Sequence, residues 1–380
     1  MIAWPFALAY GVLFARKRAL ALGYAREHAR AHDDAAPPAA TILQPILGGD
    51  PLLEETLEHN VREIANASFV WLIDAGDAAA GTACEAIRAR HPARDIRIVV
   101  CAPAGERDNP KLDKLARGEA CVRTNAVVVL DDDTMVSRAG YAALLAALAT
   151  HDLATGLPSY EAGNDLPSAL VEQFVDDNAA LTYLASCALA PPLTINGMCY
   201  ALTTDTLARM GGFAAYLRWL PDDLAIARGV VDRGGTIRQT PCPQRIRTSV
   251  RDPAHYVALM HRWFLFALLL LERVSPRERA RIAVDHVVPP LLLWAVVLVT
   301  LTSPSRGNLA TVAVLLAARS AAHEDLQRRI YGRSRHRPLV SIVSELVEPL
   351  HALHALARKS IRWRSRRIVV RAADDFTVVR

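Results

Sequence analysis

Paired cysteines are missing from this chain. Cys84, Cys101, Cys121, Cys187, Cys199 and Cys242 are scattered and form no C-x-x-C pair. Spacing therefore suggests neither a zinc site nor a disulfide framework, and free thiols in a cytosolic compartment are expected. No G-x-G-x-x-G follows the first apolar strand pattern, which counts against a dinucleotide-dependent dehydrogenase. Histidines do occur, but His255 and His261 lack a metal-ligand partner set and read as ordinary polar residues. Aromatic residues are scarce, at 6%. Nor is a secretory signal expected. The apolar stretch 1–14 is followed, not preceded, by Arg16-Lys17-Arg18, and no A-x-A site is evident. From 358 to 371 there is no acid at all, while Arg362, Arg364, Arg366, Arg367 and Lys359 crowd together. Such a block suits nucleic acid, an anionic membrane surface or a disordered tail.

The 380 residues are 52% hydrophobic and carry a formal net charge of +5, enough for one large domain or two smaller ones. The pattern centres on Val127-Val128-Val129-Leu130-Asp131-Asp132-Asp133. The apolar run reads as a strand buried on both faces. It ends in three carboxylates, which must reach solvent or a cation. On extended backbone Asp131 and Asp133 point to one side and Asp132 to the other. Two carboxylates at a strand's carboxyl end suit a hard divalent ion that also holds phosphates. A lone D-x-D is equally a solvated loop after a core strand.

Along the chain, 1–20 reads as a short membrane anchor: roughly fifteen apolar residues reach about 22 Å as helix, short of a full span. A Pro/Ala-rich linker, 33–40, leads to a domain over 41–250. There, strands at 41–47, 69–73 and 96–100 alternate with helical periods at 52–64 and 83–90. That alternation means a doubly wound α/β sheet. The second strand ends at Asp74 and Asp77. Asn109-Pro110-Lys111 opens a helix expected to run to about Ala126, before the acidic strand end. Further helices are expected at 141–150, 166–189 and 203–210, and strands at 155–160 and 195–202. Asp222 and Asp223 stand at a helix start, where acids are commonly caps.

The remainder is membrane-like. Residues 251–281 carry the apolar run that begins at Trp263, read as a membrane-interface helix. Residues 282–320 form an apolar hairpin with Pro289-Pro290 as a kink. The arginine-rich return, 319–337, faces the cytoplasm by the positive-inside rule. The last segment, 339–380, reads as an interfacial helix and a basic tail on the anionic leaflet.

In order, the opening I-L-Q-P-I-L-G-G-D-P, Asp74, Asn109-Pro110-Lys111, Asp131, Gly156-Leu157-Pro158, Gly197-Met198, Gly211-Gly212, Asp222-Asp223 and Asp232-Arg233-Gly234 resemble glycosyltransferase family 21, the family of ceramide glucosyltransferase. The tail Trp363-Arg364-Ser365-Arg366-Arg367 also looks like that family's C-terminal segment. The likeness runs from Thr41 to roughly Leu271, plus that tail. It implies a GT-A-type doubly wound, mostly parallel sheet with helices on both faces, flanked by N- and C-terminal membrane helices. It implies that Asp74 lies near the nucleotide, that Asp131 and Asp133 hold Mg²⁺ or Mn²⁺ on a UDP-sugar diphosphate, and that Asp223 is the base for the acceptor hydroxyl. Lys111 or Arg262 would add positive charge near the diphosphate. The family's (Gln or Arg)-x-x-Arg-Trp motif is matched by Arg262 and Trp263, but Leu259 stands at its first position and removes a polar contact.

The implied activity is inverting transfer of a sugar, glucose by the resemblance, from a cytosolic UDP-sugar to a lipid hydroxyl such as ceramide, a hopanoid or a diacylglycerol. The enzyme would be a multi-pass membrane protein with its catalytic domain in the cytoplasm and no nucleic-acid partner. A processive polysaccharide synthase would need more spans than this chain offers. An inactive scaffold of this fold has only Leu259 in its favour.

Overall fold

The computed structural model describes residues 2–29, 37–161, 163, 165–247, 249–363 and 366–379. Part of the 33–40 linker and Arg364-Ser365 of the basic tail lie outside the described residues. The chain divides into two compact units.

One unit comprises 28–162, 191–249 and 360–380. Its main sheet contains β1 (Ala40–Ile46), β2 (Ala67–Asp74), β3 (Ile96–Cys101), β4 (Ala126–Leu130), β5 (Thr134–Met135), β6 (Leu153–Tyr160), β7 (Cys199–Thr203) and β8 (Ile237–Ile246), in the order β3-β2-β1-β4-β7-β6-β8-β5. β1, β2, β3 and β4 run parallel, β7 is antiparallel to its neighbours, and β6 pairs β8 in parallel. This is the GT-A-type, mostly parallel doubly wound sheet that the resemblance implied.

Alternation along the strands explains why both faces are covered. Ile42, Val128 and Leu130 pack into one apolar core with Leu57, Cys84, Ile87 and Tyr141 from helices. Leu43, Val127 and Val129 pack into another with Leu112, Leu115, Ile226 and Val230. The turn after β1 requires glycine. A Cβ on Gly48 would stand 2.5 Å from Asp77 Oδ1, and Gly49 has φ +97°.

Several elements differ from expectation. The helix opened by Asn109 is Pro110–Gly118 plus one 3₁₀ turn, Glu119–Cys121, and ends well before Ala126 because the chain must turn to enter β4. The helix after β2 begins at Ala78, capped by Asp77, earlier than the apolar period suggested. β8 has no counterpart in the sequence reading, and it holds two prolines, Pro241 and Pro243, a residue that sheets seldom admit. It forms because its register against β6 shifts between Thr155 and Leu157. At that irregularity the Gly156 carbonyl accepts from Gln239 Nε2 (2.8 Å) and Asn196 Nδ2 (2.7 Å).

The basic tail is not a tail. β9 (Ser360–Trp363), β10 (Arg366–Ala372) and β11 (Asp375–Val379) form an antiparallel sheet of their own. Ile361, Ile368, Val370 and Phe376 are buried along it. Their period-2 spacing was hidden under the arginine content.

The other unit comprises 1–27, 163–190 and 250–359, and is helical. Among the described residues three helices are long and apolar enough to cross a membrane: Pro253–Glu272, Pro276–Thr302 and Pro338–Ala357. The middle one is interrupted at Val287, so Pro289 and Pro290 fall in the first turn of the Val288–Thr302 segment, where proline is favoured, rather than inside it. The returning arm is a helix of 26 residues, Arg306–Tyr331. The N-terminal helix, Trp4–His28, does not stop at its basic cluster. It continues because Arg16 pairs with Asp285 at 2.9 Å, Lys17 Nζ donates to the Asp285 carbonyl at 2.7 Å, and Arg18 pairs with Asp325.

Candidate active site

The carboxyl ends of β1, β2 and β4 form the crevice where open α/β sheets place ligands. Three segments deliver side chains there: the strand ends themselves, the Pro110–Gly118 helix, and the start of the Asp222–Val231 helix.

Asp131 follows directly on β4. Its N–H donates to the Met198 carbonyl (2.8 Å), and its carbonyl accepts from Gln44 Nε2 (3.2 Å) and the Thr134 N–H (3.3 Å). Gln44 is itself held by Trp71 Nε1 at 2.9 Å. The triple acid is thus a turn rather than extended backbone. Even so, Asp132 departs from its neighbours: its carboxylate accepts the Leu47 N–H at 2.7 Å and ties the ends of β1 and β4 together. Asp133 accepts from the Thr134 hydroxyl at 3.2 Å, and its carbonyl accepts the Arg247 N–H at 2.8 Å.

Lys111 is the hub. Its ammonium lies 2.7 Å from Asp131 Oδ1 and 2.9 Å from Asp222 Oδ2, and donates to the Gly197 carbonyl at 2.8 Å. These three oxygens surround the ammonium. Burial opposes its charge, but Asp131 and Asp222 more than offset that and hold its pKa above the ordinary lysine value. Gly197 keeps this corner tight, since a Cβ there would stand 3.2 Å from Asp223 Cβ and 3.3 Å from Asp222 Oδ2. One turn on, Lys114 Nζ pairs with Asp74 Oδ1 (3.1 Å) and donates to the Ile46 carbonyl (2.9 Å).

Two carboxylates sit far from their usual range. Burial, then the neighbouring Asp222, pushes Asp223 up to about 7. One Asp223 oxygen accepts the Leu224 N–H at 2.7 Å. Burial also raises Asp131, to about 6; Lys111 works against this, while Asp133 and Asp222 reinforce it. The side chain of Asp131 is still 30% exposed, so one side of it faces the opening.

Carboxylates therefore outnumber ammoniums at this end of the sheet: Asp74, Asp131, Asp133, Asp222 and Asp223 against Lys111 and Lys114. Such a crevice repels a diphosphate unless a cation comes with it. Among the described residues no three His, Cys, Asp or Glu side chains gather as a metal cage. An ion of the Mg²⁺ or Mn²⁺ kind is usually held by one or two carboxylates, the rest coming from substrate phosphates and water. Asp131 and Asp133 offer the hard oxygens required.

Of the residues singled out in the sequence, Asp74, Lys111, Asp131, Asp133 and Asp223 lie in the sheet unit, with Lys111 reaching Asp131 directly. Arg262 and Trp263 lie on the Pro253–Glu272 helix of the helical unit. There the Trp263 ring stacks on Phe174, with centroids 6.0 Å apart at 21°. Leu259 of the same helix is buried, and so is His261, whose ring lies 4.2 Å from that of His354. Sequence reasoning gave no role to Asp222, Lys114 or the Gly197 carbonyl. A signal was present for Lys114: it follows Lys111 by three residues and so shares its helix face.

The family model for glycosyl transferase family 21 matches residues 4–375. The chain belongs to this family, and it is a glycosyltransferase. Among solved structures it is similar to the mannosyltransferase PcManGT from Pyrobaculum calidifontis, in complex with GDP-Man and Mn²⁺, at 17% identity, 94% of this chain, 98% of that one and a TM-score of 0.49. It is also similar to glucosyl-3-phosphoglycerate synthase from Mycobacterium tuberculosis, in complex with Mg²⁺ and uridine diphosphate, at 15% identity, 64% of this chain, 85% of that one and a TM-score of 0.38. At these scores neither likeness assigns a substrate or a residue role here.

Proposed function

We propose that the protein transfers a sugar, glucose by the family resemblance, from a UDP-sugar to a lipid hydroxyl of the ceramide, hopanoid or diacylglycerol type, with inversion at the anomeric carbon. The catalytic unit would face the cytoplasm. What supports this most is one juxtaposition: the Lys111 ammonium links Asp131, at the end of β4, to Asp222, the residue before Asp223. A candidate diphosphate-binding carboxylate and a candidate base are thereby tied to one rigid corner. The three apolar helices support a membrane acceptor.

In this reading Asp131 and Asp133 hold a divalent cation, whose charge would neutralise the leaving diphosphate. Asp74, fixed by Lys114, stands on the nucleotide side. Asp223 takes the proton from the acceptor hydroxyl as that oxygen attacks the anomeric carbon. No second carboxylate serves as nucleophile, so displacement is direct. Lys111 opposes the burial-driven rise of Asp131 and fixes the spacing of Asp131 and Asp222. Arg262 and Trp263 are assigned to acceptor placement at the membrane edge by the family motif alone.

Three measurements test this. Membrane fractions incubated with radiolabelled UDP-sugars and mixed lipids should yield labelled lipid. Labelled polymer would indicate a polysaccharide synthase, and no metal-dependent incorporation an inactive scaffold. Asp133→Ala should weaken nucleotide binding only when Mg²⁺ or Mn²⁺ is present; identical affinity with and without the ion would remove the metal assignment. Transfer should also rise with pH through about 7. Asp223 with a raised pKa is protonated and idle below that value, so kcat should fall about tenfold per unit in that limb. A rate flat from pH 5 to 8 would contradict its role as base.

A further inference from the structure

The loop ahead of Asp223 is held from two sides. The Leu220 N–H donates to the Ala373 carbonyl at 2.8 Å, and the Leu220 carbonyl accepts from Asn109 Nδ2 at 2.9 Å. The same Nδ2 reaches the Trp219 carbonyl at 3.0 Å, and the Asn109 N–H donates to Leu217 O at 2.7 Å. Ala373 lies in the turn between β10 and β11. β11 is fastened in turn by the Val378 N–H to the Glu106 carbonyl at 3.0 Å, just upstream of Asn109. Ala373, Phe376 and Leu220 are all buried. Between Leu220 and the acids stands Pro221, whose ring holds φ near −79°. Only this one residue, its φ fixed, separates Leu220 from Asp222.

We infer that the C-terminal hairpin is a positioning element of the transfer site: with Asn109 it clamps the Leu220 peptide and so fixes where Asp223 stands. The arginine-rich terminus then serves catalysis through one backbone carbonyl, not through its charge. This inference rests on the reading of Asp223 as the base. Displacing a reacting group by about 1 Å can cost about 10²-fold in rate, so a modest loosening here is measurable.

Two full-length variants test the clamp. Phe376→Ala removes a buried anchor of the hairpin. Asn109→Ser keeps a helix-cap oxygen for the Lys111 and Leu112 N–H groups but gives up the reach to Trp219 and Leu220. In both, kcat should fall about ten- to a hundredfold and the KM for the UDP-sugar should move less than about threefold. Hydrogen exchange over 217–224 should quicken. Faster exchange with a wild-type kcat would overturn the inference, as would a loss confined to KM. If Phe376→Ala fails to fold, Asn109→Ser decides alone. Asp223→Asn separates the two claims. Turnover in that variant would remove the base, whereas an inactive Asp223→Asn beside loosened but fully active clamp variants would remove only the clamp.

Discussion

Asp223→Asn is expected to abolish sugar transfer, by at least about 10²–10⁴-fold, while leaving UDP-sugar affinity within a few-fold of wild type. The substitution keeps shape and removes only the ability to accept a proton from the acceptor. Lys111 takes its oxygens from Asp131, Asp222 and Gly197, so the lysine hub should survive. Lipids extracted from cells expressing each form, analysed by mass spectrometry, provide the readout. A glycolipid present with wild type and absent with Asp223→Asn also names the sugar and the acceptor. Unchanged turnover would move the base elsewhere.

Lys111→Met should have the largest effect on stability. It leaves two carboxylates facing each other in a part-buried corner without their shared cation. Removing one partner of such a pair typically costs about 3–5 kcal/mol, because the remaining charge stays desolvated. Lys111 and Asp222 keep only 13% and 12% of their side-chain surface exposed, so solvent screens little of this. Thermal unfolding in detergent should show a clear loss. Mn²⁺ with UDP should restore part of it, since a divalent ion at Asp131 supplies the missing charge. Adding Asp222→Asn should also restore part, by removing one of the two stranded charges. An unchanged unfolding temperature in Lys111→Met would contradict the hub. A loss insensitive to Mn²⁺ and UDP would contradict a metal at Asp131.

The part of the site that could be read directly is the part written locally. β4 and its acids announce themselves because an apolar run cannot end in three carboxylates without a reason. Asp74 reads the same way at the end of β2; the alternation expected of Asp131, Asp132 and Asp133 assumed a strand, and the segment is a turn in which Asp132 accepts the Leu47 N–H. Lys111 was legible as a candidate site cation, yet its partners were not: Gly197 and Asp222 lie far away in sequence and arrive through the sheet and the Asp222–Val231 helix. Asp222 looked like an ordinary helix cap, and only its contact with Lys111 distinguishes it. β8 and the C-terminal sheet escaped for opposite reasons. Prolines hid the first, and arginines hid the alternation of the second.

Residue order by itself determined the family, the doubly wound sheet, the two strand-end acids and the apolar helices, because each depends on a period or motif within one element. Tertiary structure alone decided which carboxylate shares the Lys111 ammonium, that burial beside Asp222 raises Asp223 to about 7, and that the last residues fold back to hold Leu220. These depend on groups brought together across the chain, and desolvation and charge coupling act only once that closure has excluded water.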